Sequence, residues 1–490
     1  MGNPPVRQRG TSASVHLRNA ANAGEAGPCC PRRRGQSPLS LIIWMCRAAW
    51  RCARKQEPGG GMVLAVCDVQ IERKHEEINM FRKIFPSAGG QPRTLIGALA
   101  ASAAIVLGAF NGMAAAQETH RFAIANDLSG PSSYHGKTFA AGFNTYLHEV
   151  NDAGGVNGKK VELLQENAAR DVQKELGFLR KFAQQDNALA AMMVTTDGLF
   201  AAKPLMESIK LPLMGVGVPE LASNPPTPWV FNIFASYQDT VFAAIDYVFN
   251  TIGDKDPKIG VVYPDVQFGL EALRATELRM QKYGKPVAAK VVMNLRETDA
   301  TTQMLTLKQA GVKYVIVQLA GAHIAAILRD AAKVGLDVTV FGTTQTMDRE
   351  PDLILSQPGG QNLAKNFIGV GPWAKWNETS VPGIIAMRAA VKKYEKIEDA
   401  KLGDVMYSNF VQGYVNAMVL VEALRKAGPN PTGEKLRDAM NQLRNFDTKG
   451  ITPPISFGPD RRKGFSAVKL YRINTERKVY EPIGGWVTVN

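Results

Sequence analysis

The sequence predicts an α/β protein of two doubly wound parallel-sheet lobes. Over residues 121–344, short β-branched or apolar runs alternate with longer amphipathic patterns, and the connections between them are brief. A chain of 490 residues also exceeds what one hydrophobic core usually serves.

"RFAIAN" from Arg121 reads as a buried strand followed by the loop "DLSGPSSYHG". Phe139, Phe143, Tyr146, Leu147 and Val150 then recur at three- and four-residue steps, predicting a helix over 137–151. The following "NDAGGVNGKK" packs three glycines and two lysines into ten residues. It sits between a helix end and the strand "KVELLQEN", so it predicts a C-cap and turn, since a phosphate cradle needs a helix N-terminus. The alternation continues with a helix over 172–185, a strand from Ala188, a helix to Ile209 and a strand from Leu211. "ASNPPTPW" at 222–229 reads as a linker. A second series starts at Lys258, with strands from Lys258, Ala288, Tyr314 and Val338 and helices over 269–283, 301–310 and 323–334. A long helix from Ser408 and two terminal strands, 467–483, complete the reading.

The front of the chain differs in kind. All five cysteines (29, 30, 46, 52 and 67) precede residue 80, and residues 1–116 hold 15 Lys/Arg against 6 Asp/Glu. Residues 1–79 show no sustained periodicity, and their cysteine spacing fits no pair of zinc knuckles. From Met80 the chain runs Phe-Arg-Lys-Ile-Phe, then an apolar stretch from Leu95 to Phe110, then Met113-Ala-Ala-Ala116. These are the basic, apolar and small-residue parts of a secretory signal peptide, with cleavage expected after Ala116. A single membrane anchor is the competing reading of the apolar stretch. A signal peptide over 80–116 implies a functional start at Met80, with 1–79 an upstream extension, and a periplasmic mature protein free of thiols.

The remaining 43 Lys/Arg and 38 Asp/Glu leave a mildly basic surface, so the formal net charge of +14 does not call for a nucleic-acid partner. The loop after the first strand lacks the G-x-G-x-x-G of a dinucleotide site. Neither H-x-x-x-H nor G-x-S-x-G stands out, and His120, His135, His148 and His323 are scattered. The residues therefore point away from enzyme chemistry, with no metal and no cofactor expected.

Several segments together resemble a known family. "SGPSSYHG", "EVNDAGGVNGKKVELL", "KLPLMGVGVPELAS", "VVYPDVQFGLEA" and "AAKVGLDVTVFGTT" look like the Leu/Ile/Val-binding type of periplasmic solute-binding protein of ABC transporters, the type I periplasmic binding proteins. The resemblance runs from about Arg121 to the end. It implies two lobes joined by a three-crossing hinge that close over a small ligand and hand it to a membrane permease, with no bond made or broken. It implies lobe I from 120–237 plus 370–452, lobe II from 238–369 plus 453–490, and a monomer.

Small molecules bind beyond the carboxyl ends of strands in open parallel sheets. The loops there nominate Ser133, Tyr134, Thr195, Thr196, Asp197, Gly215, Gly217, Phe268, Gln318, Thr344 and Trp373 as ligand-binding residues. Thr195-Thr196 match the hydroxyl pair with which family members hold a ligand carboxylate. Each hydroxyl has a second reading as a turn or helix N-cap, and Trp373 one as hinge packing. Asp197 would repel a carboxylate, so it either points away or meets a cationic or hydroxylated ligand.

Three departures from the family pattern bear on the ligand. Pro212-Leu213-Met214-Gly215-Val216-Gly217 lacks the usual hydroxyls, Phe268 stands where Tyr is usual, and Gly342-Thr343-Thr344 lacks an acidic residue common in amino-acid binders. A buried ammonium group without a carboxylate partner costs several kcal/mol. Either Asp348 or Asp197 supplies that partner and the ligand is a branched-chain or other amino acid, or the ligand is a small carboxylate or amide without the ammonium, such as an aromatic acid. A ligand-sensing receptor component is the remaining alternative. N-terminal sequencing of the exported protein should return Gln117 first; any residue before Met80 would contradict the upstream-extension reading.

Overall fold

The computed structural model describes residues 119–130 and 132–490. The expected extension over 1–79, the signal peptide over 80–116 and the cleavage point lie outside them. Among the described residues, no helix is long and apolar enough to cross a membrane.

The first sheet is built around β1 (His120–Asn126), flanked by β2 (Val161–Asn167) and β3 (Ala190–Met193), with β4 (Leu213–Gly215) and β5 (Val230–Phe231) beyond. Its order is β2-β1-β3-β4-β5, and every neighbouring pair is parallel. Alternate residues of β1 serve two cores. Phe122 and Ile124 pack with Phe139 and Phe143 of α1 (Ser133–Asp152), while Ala123 and Ala125 pack with Leu179 and Phe182 of α2 (Val172–Gln184). Both faces being covered explains why the strand reads as a continuous apolar run.

Helix α1 starts four residues before the predicted start at residue 137. The Asp127 carboxylate accepts the backbone N–H groups of Ser129 and Ser132, at 3.3 and 2.8 Å, and this tightens the loop so that helical geometry begins at Ser133. At its other end Gly154, Gly155 and Gly158 take positive φ, and Val156 and Lys159 pair as a small antiparallel bridge leading into β2. "NDAGGVNGKK" is thus a helix-to-strand turn.

After β3 come α3 (Thr196–Ile209), β4 and the short α4 (Glu220–Ser223). The segment expected as a linker over 222–229 belongs instead to this lobe. Trp229 is buried and leads directly into β5, so the chain leaves the first lobe only after Phe231.

The second sheet contains β6 (Ile259–Tyr263), β7 (Ala289–Val292), β8 (Tyr314–Val317), β9 (Thr339–Gly342), β10 (Phe367–Gly371), β11 (Ala467–Asn474) and β12 (Val479–Pro482), in the order β12-β11-β10-β9-β8-β6-β7, with β13 (Val487–Thr488) beside β11. Helices α5 (Tyr237–Asp246), α6 (Gln267–Lys282), α7 (Thr301–Gln309), α8 (Gly321–Lys333), α9 (Glu350–Leu355) and α10 (Gly360–Lys365) connect or cover these strands. β6 to β10 are parallel, as expected, but β11 runs antiparallel to β10, β12 and β13. The sheet is therefore mixed. Only four residues separate β11 from β12, and a connection that short can only join antiparallel strands.

Between β10 and β11 the chain returns to the first lobe as α11 (Pro382–Tyr394), α12 (Ser408–Ala427) and α13 (Gly433–Asn441). Helices α1 and α12 approach closely because each presents a glycine to the other's backbone. A Cβ on Gly142 would lie 2.0 Å from the Phe410 carbonyl oxygen, and one on Gly413 would lie 1.9 Å from that of Phe139.

The crossing segments bond to one another. Asn232 N–H donates to the Arg462 carbonyl and Gly464 N–H to the Asn232 carbonyl, both at 2.8 Å; Ala374 N–H donates to the Ile451 carbonyl at 2.8 Å. Lys463, on the last crossing, is mostly buried between Glu220 of α4, at 2.7 Å, and Asp239 of α5, at 2.9 Å. Burial opposes its charge, but the two carboxylates outweigh burial and raise its pKa. Lys463→Met leaves both carboxylates buried without their cation. It should cost about 3–5 kcal/mol, read from the urea midpoint; a loss below about 1 kcal/mol would mean that the pairing is not structural.

Candidate functional site

The carboxyl ends of both sheets face a shared cavity, the position at which open parallel sheets bind small molecules. The loop after each of β1, β2, β3 and β4 contributes to one wall, and the loops after β6, β7, β8 and β9 contribute to the other.

On the first wall, Ser132 stands at the end of the loop clamped by Asp127. Arg170 follows Ala169 in a pair of left-handed residues, φ +50° and +65°, just before α2. Asp171 N–H donates to Ala168 carbonyl at 2.9 Å, and the Asp171 carboxylate caps α2. This turn leaves the Arg170 guanidinium in the cavity lining, donating to Ser132 Oγ at 2.7 Å. Thr195 and Thr196 sit at the N-terminus of α3.

The Thr195 hydroxyl is already engaged. It contacts both Glu175 carboxyl oxygens, at 2.7 and 2.9 Å, and accepts Gly198 N–H at 3.0 Å. The N-cap reading therefore describes its side chain. Thr196, one residue on, lies beside Tyr237, and Gly217 makes room for both: a Cβ there would lie 2.9 Å from Thr196 Oγ1 and 3.0 Å from the Tyr237 hydroxyl. Burial pushes the Tyr237 pKa up to about 12, against the opposing pull of hydrogen bonds involving Val218, Thr196 and Gln345, so it stays a neutral phenol.

The second wall is mostly apolar: Phe268 at the start of α6, Leu295 after β7, and Leu319 and Ala320 after β8. His323, in the first turn of α8, adds its imidazole. The ring is buried, and neither nitrogen has a hydrogen-bond partner. Burial holds its pKa below the ordinary imidazole value, although backbone groups of Ala320, Asn294 and Leu295 pull the other way. Gln345 approaches the Val216 carbonyl at 3.5 Å and Asn409 at 3.4 Å, joining the walls at the back of the cavity.

Of the residues nominated from sequence, Thr195, Thr196, Gly217 and Phe268 line the cavity. The others lie around it. Ser133 begins α1 behind Ser132. Tyr134 packs edge-on to His135 and against Tyr407, both at 5.6 Å between ring centres. Asp197 points outward, where its carboxylate is 3.4 Å from Gln267 N at the start of α6 and 3.8 Å from Arg170. Gly215 sits where the turn folds back so closely that a Cβ would meet the Gly217 carbonyl at 2.1 Å. Gln318 supports the lining from behind, donating to the Phe268 carbonyl at 2.6 Å and accepting from Thr343 at 2.7 Å. Thr344 is fully buried in a helical turn over 344–346. Trp373 packs edge-on against Phe234, 5.0 Å between centres, at the crossing.

Asp348, the other candidate partner for an ammonium group, accepts Ser408 N–H at 2.7 Å and lies 3.8 Å from His135, outside the lining. Among the described residues, no Asp or Glu lines the cavity. Arg170, Tyr237 and His323 were not nominated. Arg170 occupies a loop without Gly or Pro to announce a special turn, Tyr237 follows a crossing, and His323 carries no spacing signal.

A family model described as periplasmic binding protein matches residues 119–478. The chain belongs to this family. A periplasmic binding protein is a two-lobed solute binder, and relatives agree over most of their length. The Leu/Ile/Val-binding protein homolog 1 of Brucella melitensis is 26% identical over 373 residues, 73% of this chain and 90% of that protein. The leucine-, isoleucine-, valine-, threonine- and alanine-binding protein of Pseudomonas aeruginosa is 23% identical, covering 70% and 92%. Among solved structures, a branched-chain amino acid transporter protein of Thermus thermophilus with bound valine shares the fold at TM-score 0.68 and 21% identity, covering 76% of this chain and 97% of that one. A solute-binding protein of R. palustris in complex with 4-hydroxybenzoate shares it at TM-score 0.63 and 19% identity, covering 76% and 98%.

Glu175, beneath Thr195, makes one property of this periplasmic binding protein testable. Burial raises its pKa to about 7, although the Thr195 hydroxyl and Arg170 favour its charge. A raised carboxyl pKa stabilises the fold below the unfolded value of 4.5, and that contribution is lost as pH rises through about 7. Glu175→Gln should therefore flatten the fall in stability between pH 5 and pH 8, measured by urea unfolding at each pH. Glu350, raised to about 8 chiefly by burial, keeps some of the slope in the variant. An unchanged slope would mean that Glu175 titrates as it does when unfolded.

Proposed function

We propose that this periplasmic binding protein captures a small organic carboxylate without an α-ammonium group and delivers it to an ABC permease. One observation carries the choice of ligand: a guanidinium, two hydroxyls and a helix N-terminus converge on one wall of a cavity in whose lining, among the described residues, there is no carboxylate. An organic anion gains charge-assisted hydrogen bonds from Arg170, Ser132 and Thr196. An amino-acid ammonium entering the same cavity would be desolvated opposite Phe268, Leu295 and Leu319.

The apolar wall suits a ring or a short branched chain. Ligand binding then acts on lobe closure. The first lobe supplies the anion contacts, the second supplies the apolar lid, and a ligand spanning both favours the closed form that a permease recognises. Function is recognition and release by a monomer in the periplasm after export through the 80–116 signal peptide, with no catalysis. The relatives named for leucine, isoleucine and valine favour the second reading, a branched-chain amino acid, in which Asp197 or Asp348 would have to turn toward the ligand.

A thermal-shift series separates the two. Benzoate, phenylacetate and short branched monocarboxylates should raise the melting temperature more than leucine, isoleucine or valine do. Arg170→Gln should weaken carboxylate binding by about tenfold or more. A large shift with leucine, isoleucine or valine and none with the carboxylates would reverse the assignment.

A further inference from the structure

We infer that His323 is a specificity-determining residue, and that the ligand carries, away from its carboxylate, a hydroxyl or similar group that pairs with this imidazole. The inference rests on the carboxylate reading above and narrows it to polar-substituted acids.

Among the described residues, His323 is the only imidazole that the second lobe places in the cavity lining. It is more than nine-tenths buried, and both ring nitrogens are shielded without a hydrogen-bond partner. Leaving buried polar atoms unpaired is costly, and an apolar residue would fill the same wall without that cost. Gly321 is held next to the buried Glu350, and Ala320 and Leu319 complete the strand-to-helix turn, so the first turn of α8 sets the ring toward the cavity. The nearby backbone groups of Ala320, Asn294 and Leu295 influence the ring without meeting hydrogen-bond geometry.

A neutral imidazole offers one N–H donor and one nitrogen acceptor. A hydroxyl matches it, since it accepts and donates at one atom. Arg170, Ser132 and Thr196 belong to the other wall, so one ligand held at both ends spans the cleft. The anion contacts then act on the first lobe alone, and the His323 contact forms only when the second lobe has closed. An acid lacking the distal group leaves the imidazole buried and unpaired on closure, which a site built for hydrogen bonding rejects.

The test uses the whole exported protein and calorimetric titration with matched acids: benzoate against 3- and 4-hydroxybenzoate, and phenylacetate against 4-hydroxyphenylacetate. In at least one pair the hydroxylated acid should bind about tenfold more tightly. His323→Leu should reduce that preference to within about threefold while changing the affinity of the unsubstituted acid by no more than about threefold. His323→Gln, which keeps a donor and an acceptor, should retain part of the preference. Equal affinity within every pair, or a preference that survives His323→Leu, overturns the role of His323 and leaves the carboxylate reading standing. If no acid binds and L-leucine does, the carboxylate reading itself falls, and the His323 assignment falls with it.

Discussion

The structure depends on the place where the chain passes between its lobes. Lys463 lies there between Glu220 of the first lobe and Asp239 of the second, largely shielded from water. Three charges taken out of solvent together are tolerable only while all are present. The requirement joins α4, α5 and the last crossing at one point. Glu271 of α6 adds to it by accepting Glu220 N–H at 2.9 Å.

From that fixed point the geometry of the cleft follows. Each lobe is a sheet with helices on its faces, so its free polar edge is the row of loops beyond the strand ends. The crossings turn these two rows toward each other. The walls differ in chemistry because different demands shape them. On the first, Asp127 and Asp171 hold tight turns that bring Ser132 and Arg170 forward. On the second, apolar residues continue the core outward through Leu319 and Phe268, and Gln318 braces the latter from behind. A wall carrying a guanidinium and hydroxyls opposite a largely apolar one is the contrast on which the proposed preference for acids over zwitterions rests.

Much of the fold was legible because periodicity is a local property. Phe122 to Ala125 and the helical steps from Phe139 to Val150 state their partners' faces without reference to the rest of the chain. The antiparallel turn between β11 and β12 was legible from its length, but the antiparallel pairing of β11 with β10 was not, since that direction depends on where the chain returns from after α13. The site was legible in part. Thr195, Thr196, Gly217 and Phe268 follow from the rule that strand-end loops meet the ligand, but the same rule swept in Ser133, Gly215, Gln318 and Thr344, which stand one layer behind. Ser132 ends the loop and Ser133 opens α1, and sequence does not say which of the two faces inward.

By itself the sequence determined the strand and helix order, the turn nature of "NDAGGVNGKK", the absence of nucleotide and nucleophile motifs, and the family to which the chain is related. Each of these rests on residue type and short-range spacing. Tertiary structure alone decided that Thr195 caps a helix over Glu175, that Asp197 turns outward to α6, and that Arg170 and His323 face one cavity from opposite lobes. Arg170 and His323 are 153 positions apart, and their meeting depends on two separate sheets and three crossings, which no local pattern encodes.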